Sequence, residues 1–324
     1  MNAPTTPARG MPPPFAQVRA AAARIAAHAH RTPVLSGRSL DAVVGARLLL
    51  KCENFQRSGS FKFRGACNTV MLLDETRLAA GVATHSSGNH GAALSLAASL
   101  RGARATLVMP VNASQAKMAA VRAYGGHIVS CEPTQAAREA ALAQVVQRTG
   151  AEAVPPFDDA RVIAGQGTAA MELIEDHPHL DALIAPVGGG GLLAGSVIAA
   201  AALAPGLRVY GAEPQAACDT FDSVRAGTRL PLRATPDTIA DGLRSSVGEI
   251  TFPVIRDGVA GILTAREDSI VRAMRLVWER LKLVIEPSSA VPVAALLDNP
   301  DALAGKRVGV IISGGNLDLD RLPW

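Results

Sequence analysis

One lysine stands where its amine could act as a nucleophile. The sequence has five lysines, at positions 51, 62, 117, 282 and 306, and the rest of its positive charge is arginine. Lys62 lies in the motif SGSFKFRGA (residues 58–66), where a glycine-containing loop leads into a predicted helix. The positive end of a helix disfavours an ammonium group, and burial between Phe61 and Phe63 would do the same. A neutral amine can condense with an aldehyde, although this motif alone is more typical of a surface lysine.

A run of four glycines offers a second chemical element, an anion-binding loop. It follows a predicted apolar strand, opens a predicted helix and consists of Gly188, Gly189, Gly190 and Gly191, with Leu192 next. Backbone amides and the positive end of the helix dipole converge at such a junction, and glycine lets them approach phosphate oxygens closely. The run lacks the G-x-G-x-x-G spacing and the lysine of nucleotide-binding loops. It therefore predicts a phosphate site, with a tight structural turn as the alternative.

Two more loops place polar side chains at the ends of predicted strands. THSSGNHG (residues 84–91) combines hydroxyl, amide and imidazole groups, and helix capping explains one of its serines but not the whole motif. SGGN (residues 313–316) follows the apolar strand 308–312 and presents a hydroxyl where that strand ends. Because ligands of α/β sheets collect at the carboxyl ends of the strands, these loops are candidates for the same site.

The segments that must position these motifs alternate between short strands and helices. Strands are predicted at residues 46–52, 81–84, 104–109, 127–130, 182–187, 208–212 and 307–312. Helices are predicted at residues 15–30, 64–74, 89–100, 114–124, 134–149, 162–174, 192–203 and 267–281. Such alternation is typical of parallel sheets. We therefore expect an α/β fold with two interleaved lobes.

Composition excludes several classes of protein. The net charge is +4, but the arginines are dispersed and aromatic residues make up only 3% of the chain, which argues against nucleic-acid binding. The apolar residues form short runs, so no membrane span is expected, and residues 1–14 lack the apolar core of a secretory signal. The scattered cysteines suggest neither disulfides nor a zinc site, so we expect a cytoplasmic protein.

Five motifs in order, SGSFKFRGA, THSSGNHG, VGGGGLLAG, IEPSSAV and SGGN, together resemble the fold type II pyridoxal-phosphate enzymes. The branch with serine racemases and threonine dehydratases looks most similar, and the resemblance spans residues 31–318. It implies two open-sheet α/β domains of the tryptophan synthase β-like kind, with pyridoxal 5'-phosphate in the cleft between them. The larger domain would comprise residues 1–53 and 155–324, with residues 1–14 disordered, and the smaller one residues 54–154.

The resemblance also implies which residues bind the cofactor. These are Phe61, Lys62, Asn89, Gly188, Gly189, Gly190, Gly191, Leu192, Gly242, Glu286 and Ser313. Lys62 would hold the cofactor as a Schiff base, and Ser313 would hydrogen-bond its pyridine nitrogen. A neutral serine there moderates the electron sink and favours prompt elimination. Ser87 would face Lys62 across the cofactor and could protonate the opposite face.

Substrate and metal ligands follow from the same resemblance. The substrate residues would be Ser86, Ser87, Asn89, His90, Arg138 and Ser245. Arg138 could bind a second substrate carboxylate bidentately, or it could lie on a solvated helix. Glu213, Asp219 and the main-chain carbonyl of Ala217 would bind a divalent cation, and oxygen ligands suit magnesium, manganese or calcium. A solvated acidic loop is the alternative.

The expected reaction is the removal of water and ammonia from a small β-hydroxy amino acid, either serine or threonine or 3-hydroxyaspartate. Lys62 would take the α-proton, and the products would be a keto acid and ammonia. Serine racemisation is the first alternative, since Ser87 could complete a two-sided proton transfer. β-Replacement as in cysteine synthases and a non-catalytic anion-binding protein are less favoured. We expect a homodimer, the commonest assembly of soluble enzymes.

Overall fold

The computed structural model describes residues 10–86, 88–113, 115–232 and 236–324, which form two sheets with flanking helices. The six-stranded sheet has the order β1 (Val34–Leu35), β2 (Arg47–Cys52), β10 (Arg307–Ile312), β7 (Ala182–Pro186), β8 (Arg208–Pro214) and β9 (Gly261–Ala265). The four-stranded sheet has the order β5 (His127–Cys131), β4 (Ala105–Pro110), β3 (Val82–Thr84) and β6 (Glu152–Ala153). With their packed helices, we call these the large lobe and the small lobe.

Helices connect and cover the strands. In chain order they are α1 (Phe15–Ile25), α2 (Arg38–Val44), α3 (Lys62–Met71), α4 (Glu75–Ala80), α5 (Asn89–Ser99), α6 (Gln115–Ala123), α7 (Gln135–Thr149), α8 (Ala160–Asp176), α9 (Gly191–Leu203), α10 (Asp219–Ala226), α11 (Thr251–Gly258), α12 (Glu267–Leu281) and α13 (Pro287–Asp298). Among the described residues, no helix is both long and apolar enough to cross a lipid bilayer.

Parallel pairing brings the polar loops to common edges. β10 pairs in parallel with β2 and β7, and β7 with β8, while β1 runs antiparallel to β2. In the small lobe β3 pairs in parallel with β4 and β6. The carboxyl ends of β10, β7 and β3 lead into residues 313–316, 187–190 and 85–88, respectively. The predicted α/β class is therefore confirmed.

Some predicted elements differ from the structure. The first helix ends at Ile25 instead of continuing to residue 30. The backbone beyond it is held by other partners, since the amide and carbonyl of His30 both bond the side chain of Gln56. Residues 64–74 form not one helix but the end of α3 and a break before α4. Further elements were missed, namely β1, β6, β9, α2, α4, α10, α11 and α13.

The proposed domain boundaries, 53/54 and 154/155, stay a prediction. The strands of the large lobe lie within residues 34–52 and 182–312, and those of the small lobe within residues 82–153. The expectation of disorder in residues 1–14 concerns mainly residues 1–9, which lie outside the described residues. Pro13, within the described part of that stretch, is buried.

A closed ring of five buried polar residues joins four segments of the chain. Arg64 on α3 binds two carboxylates, Glu53 through Nε at 2.7 Å and Glu172 on α8 through Nη1 at 2.7 Å. Lys51 on β2 donates to Glu172 at 2.6 Å and to the carbonyl of Thr32 at 2.8 Å. The hydroxyl of Thr32 donates to Glu53 at 2.6 Å and closes the ring. Two cations and two anions thus balance in the interior, as buried charges require.

The end of the chain packs on α12. The rings of Trp278 and Trp324 meet edge to face, with centroids 5.4 Å apart. The indole nitrogen of Trp278 donates to the carbonyl of Ile285 at 3.2 Å. This contact fixes the segment that leads to Glu286 and α13.

Candidate active site

Lys62 is the first residue of α3, and its amine points away from the helix to a backbone carbonyl. Nζ donates to the carbonyl oxygen of Pro156 at 2.7 Å and lies 4.9 Å from the centre of the Phe61 ring. Burial lowers the pKa of Lys62 to about 8, and the carboxylate of Glu286 opposes this shift. With this pKa about a tenth of the Lys62 side chains carry a neutral amine at pH 7, far more than for an ordinary lysine.

The expectation that Lys62 lies between two phenylalanines is wrong. Phe61 lies beside its amine, but Phe63 points into the core of the small lobe, where it is fully buried. Residues two apart on a helix point in nearly opposite directions, about 200° apart around the axis, so Phe61 and Phe63 face different surroundings.

Asn89, after β3, meets both Glu286 at the start of α13 and Asn316 in the loop after β10. The amide nitrogen of Asn89 donates to both carboxylate oxygens of Glu286, at 2.9 and 3.0 Å. Asn316 donates to the Asn89 amide oxygen at 2.9 Å and to the Ser58 carbonyl at 2.7 Å. These bonds fix the orientation of the Asn89 amide and link α5 of the small lobe to the large lobe.

Ser313 follows β10 and lies beside the start of α3. Its carbonyl accepts a hydrogen bond from the Phe61 amide at 3.0 Å, and its hydroxyl lies 2.9 Å from that of Ser289. Ser289 also accepts from the Gly314 amide at 2.7 Å. The Ser313 hydroxyl is therefore buried and held by α13, in the same loop that carries Asn316.

The glycine loop, residues 188–191, turns from β7 into α9. Gly190 has a positive φ of 85°, which favours glycine, and Leu192 is buried in the first turn of the helix. The ring of Phe157 packs against Gly189 where a β-carbon would stand. Thr251 donates to the Gly189 carbonyl at 2.8 Å. The loop thus presents the amide end of a helix, the arrangement that binds anions.

Gly242 and Ser245 lie next to the glycine loop. A β-carbon on Gly188 would come within 3.1 Å of the Gly242 carbonyl and 3.2 Å of the Ser245 hydroxyl. The Gly242 amide donates to Ser288 at 3.0 Å. The structure therefore brings both predicted residues to the loop after β7.

His90 is a buried, neutral imidazole in the first turn of α5. Its Nε2 lies 3.0 Å from the Val154 carbonyl, so Nε2 carries the proton and Nδ1 is the acceptor. Burial, with Lys62 as the next cause, lowers the pKa of His90 to about 3. Ser86 is half-buried in the loop that precedes α5. Ser87 lies outside the described residues.

Four buried polar atoms have no hydrogen-bond partner within the described part of the chain: His90 Nδ1, Ser60 Oγ, Thr84 Oγ1 and Gln166 Oε1. Two of these residues lie near Lys62, since Lys62 contributes to the lowered pKa of His90 and shares the Pro156 carbonyl with Gln166. An unpaired buried polar atom costs about 1–3 kcal/mol. Unpaired polar atoms of His90 and Gln166 beside the Lys62 amine are the pattern of a ligand site.

Arg138 lies in the first turn of α7, on the small lobe. Its charge contributes to a lowered pKa of His85, whose larger cause is burial, so its guanidinium lies near the loop after β3. The Nε atom is buried without a hydrogen-bond partner, and no carboxylate among the described residues pairs with the side chain. A cation with unused donors is available beside the polar loop.

Glu213 and Asp219 lie at the carboxyl end of β8 and the start of α10. Glu213 accepts from the amides of Thr220 at 3.1 Å and Phe221 at 2.8 Å, and Asp219 from that of Val247 at 3.0 Å. Burial raises the pKa of Glu213 to about 8 and that of Asp219 to about 6. Ala217 is buried beside them. The described residues hold no group of three or more histidine, cysteine or acidic side chains placed to bind a metal.

Sequence reasoning missed five residues that hold the site together: Pro156, Phe157, Gln166, Ser289 and Asn316. Ser289 and Asn316 stood within recognised motifs, so a partner for each polar group could have been sought there. Pro156 acts through a carbonyl and Phe157 through ring packing, and neither leaves a signal in one sequence.

Known proteins resemble this chain over nearly its full length. The sequence profile of a family described as "Pyridoxal-phosphate dependent enzyme" matches residues 25–314. The β-hydroxyaspartate dehydratase of Paracoccus denitrificans (strain Pd 1222) is 50% identical over 312 residues, which cover 96% of this chain and 99% of that protein. The serine racemase of Homo sapiens is 46% identical over 320 residues, covering 96% of this chain and 93% of that protein.

Solved structures agree with the sequence comparisons. The serine racemase of Dictyostelium discoideum superposes with a TM-score of 0.90 at 46% identity, covering 95% of this chain and 99% of that one. The processed form of threonine deaminase isoform 2 from Solanum lycopersicum gives a TM-score of 0.87 at 31% identity, covering 99% of this chain and 96% of that one. This chain therefore shares its fold with a serine racemase and a threonine deaminase of known structure.

Proposed function

Because this chain belongs to the pyridoxal-phosphate dependent enzymes, we propose that it removes water and ammonia from a small β-hydroxy amino acid, preferentially 3-hydroxyaspartate. The observation that carries the proposal is the Lys62 amine, held on the Pro156 carbonyl with a pKa lowered to about 8 by burial. An amine with such a pKa can act both as a nucleophile and as a base near neutral pH.

The residues of the site fit the cofactor. The unpaired buried polar atoms call for a polar ligand, and the helix-terminal amides of the glycine loop call for an anionic group on it. Lys62 would bind the cofactor's aldehyde carbon, residues 188–192 its phosphate, Asn89 its ring hydroxyl and Ser313 its pyridine nitrogen. Phe61 would lie beside the ring, with Gly242 and Glu286 nearby. When bound, the cofactor withdraws electrons from the α-carbon of the substrate and so acidifies its proton.

The chain's own groups would then handle the proton. The Lys62 amine takes the α-proton, and the Pro156 carbonyl orients the resulting ammonium through the bond that already holds the amine. Glu286 lies close enough to raise the Lys62 pKa, which strengthens the base. The β-hydroxyl would leave together with the α-proton as water, and a second water would hydrolyse the remaining enamine to a keto acid and ammonia.

The substrate class is inferred from Arg138. Its unpaired Nε and its place near His85 would let the guanidinium bind a second carboxylate, with two parallel hydrogen bonds. Serine and threonine lack such a carboxylate. Relatives named β-hydroxyaspartate dehydratase and L-threo-3-hydroxyaspartate ammonia-lyase, at 50% and 44% identity, support the same preference.

A substrate panel tests the proposed function. The purified protein, loaded with pyridoxal phosphate, is assayed for keto acid and ammonia with 3-hydroxyaspartate, serine and threonine. We expect the highest kcat/KM for 3-hydroxyaspartate and none with Lys62→Ala. Release of a keto acid from none of the three amino acids would overturn the proposal.

Serine racemisation is a second candidate. Ser87 stands in the sequence where a second proton carrier would be expected, and serine racemases are among the relatives at 46% identity. Conversion of L-serine to D-serine that Ser87→Ala abolishes, with dehydration retained, would establish this activity.

We also propose a divalent cation, preferably magnesium, at Glu213, Asp219 and the Ala217 carbonyl. Two buried carboxylates with raised pKa values, and no cationic side chain bound to them among the described residues, would be stabilised by a positive ion. We further expect a homodimer in the cytoplasm, and a sizing measurement decides the first point.

A further inference from the structure

We propose that the tripeptide Gly165-Gln166-Gly167 of α8 is a spacer that sets the distance between the Lys62 amine and the glycine loop. It would thereby determine the length of the cofactor that the enzyme accepts. This inference rests on the proposed pyridoxal-phosphate chemistry, in which Lys62 binds the aldehyde end and the glycine loop binds the phosphate end.

Gly165 sets the approach of α3. A β-carbon there would lie 2.5 Å from the carbonyl oxygen of Arg64 and 2.7 Å from the α-carbon of Gly65. These are backbone atoms, which cannot swing aside as a flexible side chain would. Gly65 is equally close in return, since its β-carbon would lie 2.9 Å from the Val162 carbonyl of α8. The helix that begins at Lys62 thus rests directly on the backbone of α8.

Gly167 sets the approach of α9 in the same way. Its β-carbon would lie 2.8 Å from the carbonyl oxygen of Gly195, and a β-carbon on Gly195 would lie 2.7 Å from the Gly167 α-carbon. α9 begins at Gly191, the last residue of the glycine loop. α8 therefore lies between α3, which carries the Lys62 amine, and α9, which follows the glycine loop. It contacts α3 at Gly165 and α9 at Gly167.

Gln166, between the two glycines, contacts both ends of the site. Its Nε2 donates at 3.1 Å to the Pro156 carbonyl, the same oxygen that accepts from Lys62. Because the Pro156 carbonyl can only accept, the side-chain nitrogen of Gln166 must face it. The side-chain oxygen, Oε1, therefore faces the opposite way. Oε1 lies against Gly191, where a β-carbon would stand, and is fully buried without a partner among the described residues. An unpaired acceptor there is satisfied by a ligand that donates a hydrogen bond, such as a protonated phosphate oxygen or a water molecule bound beside it.

A ligand with two fixed ends measures such a distance. Condensation of the Lys62 amine with an aldehyde forms a C=N bond and releases one water, while the phosphate end is held without a covalent bond. When both ends fit together, the second contact forms at a high effective concentration. If α3 and α9 move apart, Lys62 can still bind an aldehyde and the glycine loop can still bind phosphate. One cofactor molecule would then no longer fit both sites well.

The experiment compares Gly167→Ala with Gly206→Ala, whose β-carbon meets nothing within 4 Å. Three probes are titrated into the cofactor-free proteins: inorganic phosphate, pyridoxal and pyridoxal phosphate. For Gly167→Ala we expect phosphate and pyridoxal affinities within about threefold of the wild type but a loss of at least about tenfold for pyridoxal phosphate. The spacer proposal would be overturned if the loss of affinity for pyridoxal phosphate were no larger than the product of the losses for phosphate and pyridoxal. Such a result would indicate general damage to the site. Gly206→Ala should match the wild type with all three probes.

The main result of a second measurement comes from the wild type alone. The wild type is titrated with a pyridoxal phosphate homologue that has one more methylene between ring and phosphate. We expect at least about tenfold weaker binding than for pyridoxal phosphate, and a smaller difference in Gly167→Ala; equal binding by the wild type would contradict the proposal. If the wild type fails to capture pyridoxal phosphate itself, the proposed function is wrong instead.

Discussion

The ε-amine of Lys62 lies 2.7 Å from the carbonyl oxygen of Pro156, a residue 94 positions further along the chain. The nucleophile is therefore held by the segment that joins β6 to α8. A proline carbonyl carries no charge, so it orients the amine without stabilising the ammonium as a carboxylate would. This arrangement fixes the direction of the Lys62 amine while leaving it reactive.

The pH dependence of cofactor capture tests the state of this amine. Only the neutral amine condenses, so the capture rate of pyridoxal phosphate by the cofactor-free protein should rise with pH through a pKa of about 8. Glu286→Gln removes the carboxylate that raises this pKa, so its profile should move to lower pH. Stopped-flow absorbance gives both profiles, with Lys62→Ala as the unreactive control. A midpoint at the 10.5 of an ordinary lysine would show that the amine is not desolvated.

Substitution of Arg138 tests substrate selection. Charge-assisted hydrogen bonds contribute about 1.5–3 kcal/mol, so Arg138→Gln should lower kcat/KM for 3-hydroxyaspartate by about 10- to 100-fold. Turnover of serine should stay within about twofold, because serine has no second carboxylate. Arg138→Lys keeps the charge without the bidentate geometry, so its kcat/KM for 3-hydroxyaspartate should lie between those of the wild type and Arg138→Gln. An unchanged ratio of the two substrates in Arg138→Gln would remove Arg138 from the substrate site.

Chelation tests the cation site. A cation present at about 100 times its dissociation constant stabilises the folded protein by about 2.7 kcal/mol. Chelator should therefore lower both the melting temperature and the activity, and magnesium should restore them. Asp219→Asn is the matched control, since it removes one ligand and should abolish the response. Melting curves unaffected by chelator in the wild type would leave Glu213 and Asp219 as protonated or water-bound acids.

The buried ring predicts a large loss of stability on removal of one member. Arg64→Met leaves the Glu53 and Glu172 carboxylates short of a partner, which costs about 3–5 kcal/mol of unfolding free energy. Arg31→Ala is the control, because it breaks an exposed ion pair with Asp176, which lies on α8 as Glu172 does. It should lower the free energy of unfolding by less than about 1 kcal/mol. Denaturant unfolding measures both. Similar losses for the two variants would mean that the ring contributes no more than a surface pair.

Strand and helix alternation, together with the five motifs, was enough to predict the α/β class. The predicted strands at 182–187 and 307–312 agree with β7 and β10 within one residue, because short apolar runs between turn signals leave little choice. α13 was missed because its residues from Ala290 to Leu297 are all apolar and show no helical period, and Pro292 lies inside it.

The contacts within the site were harder to predict. The resemblance suggested Lys62, Asn89 and Ser313 but not what holds them, since Pro156 and Ser289 act at sequence separations of 94 and 24 residues. The placement of Phe63 was wrong because a pair of aromatic residues around a lysine does not state which way the helix turns. Packing of α8 against two other helices through glycines is a tertiary relationship that no local pattern reports.

The edge-to-face pair of Trp278 and Trp324 gives the protein a built-in optical probe. These are the two tryptophans of the chain, so its tryptophan emission arises from one place on α12. Release of Trp324 would expose the Trp278 ring to solvent and shift that emission to longer wavelength. Because the Trp278 indole also bonds the carbonyl next to Glu286, movement of the Glu286 segment on cofactor binding would be visible without any added label.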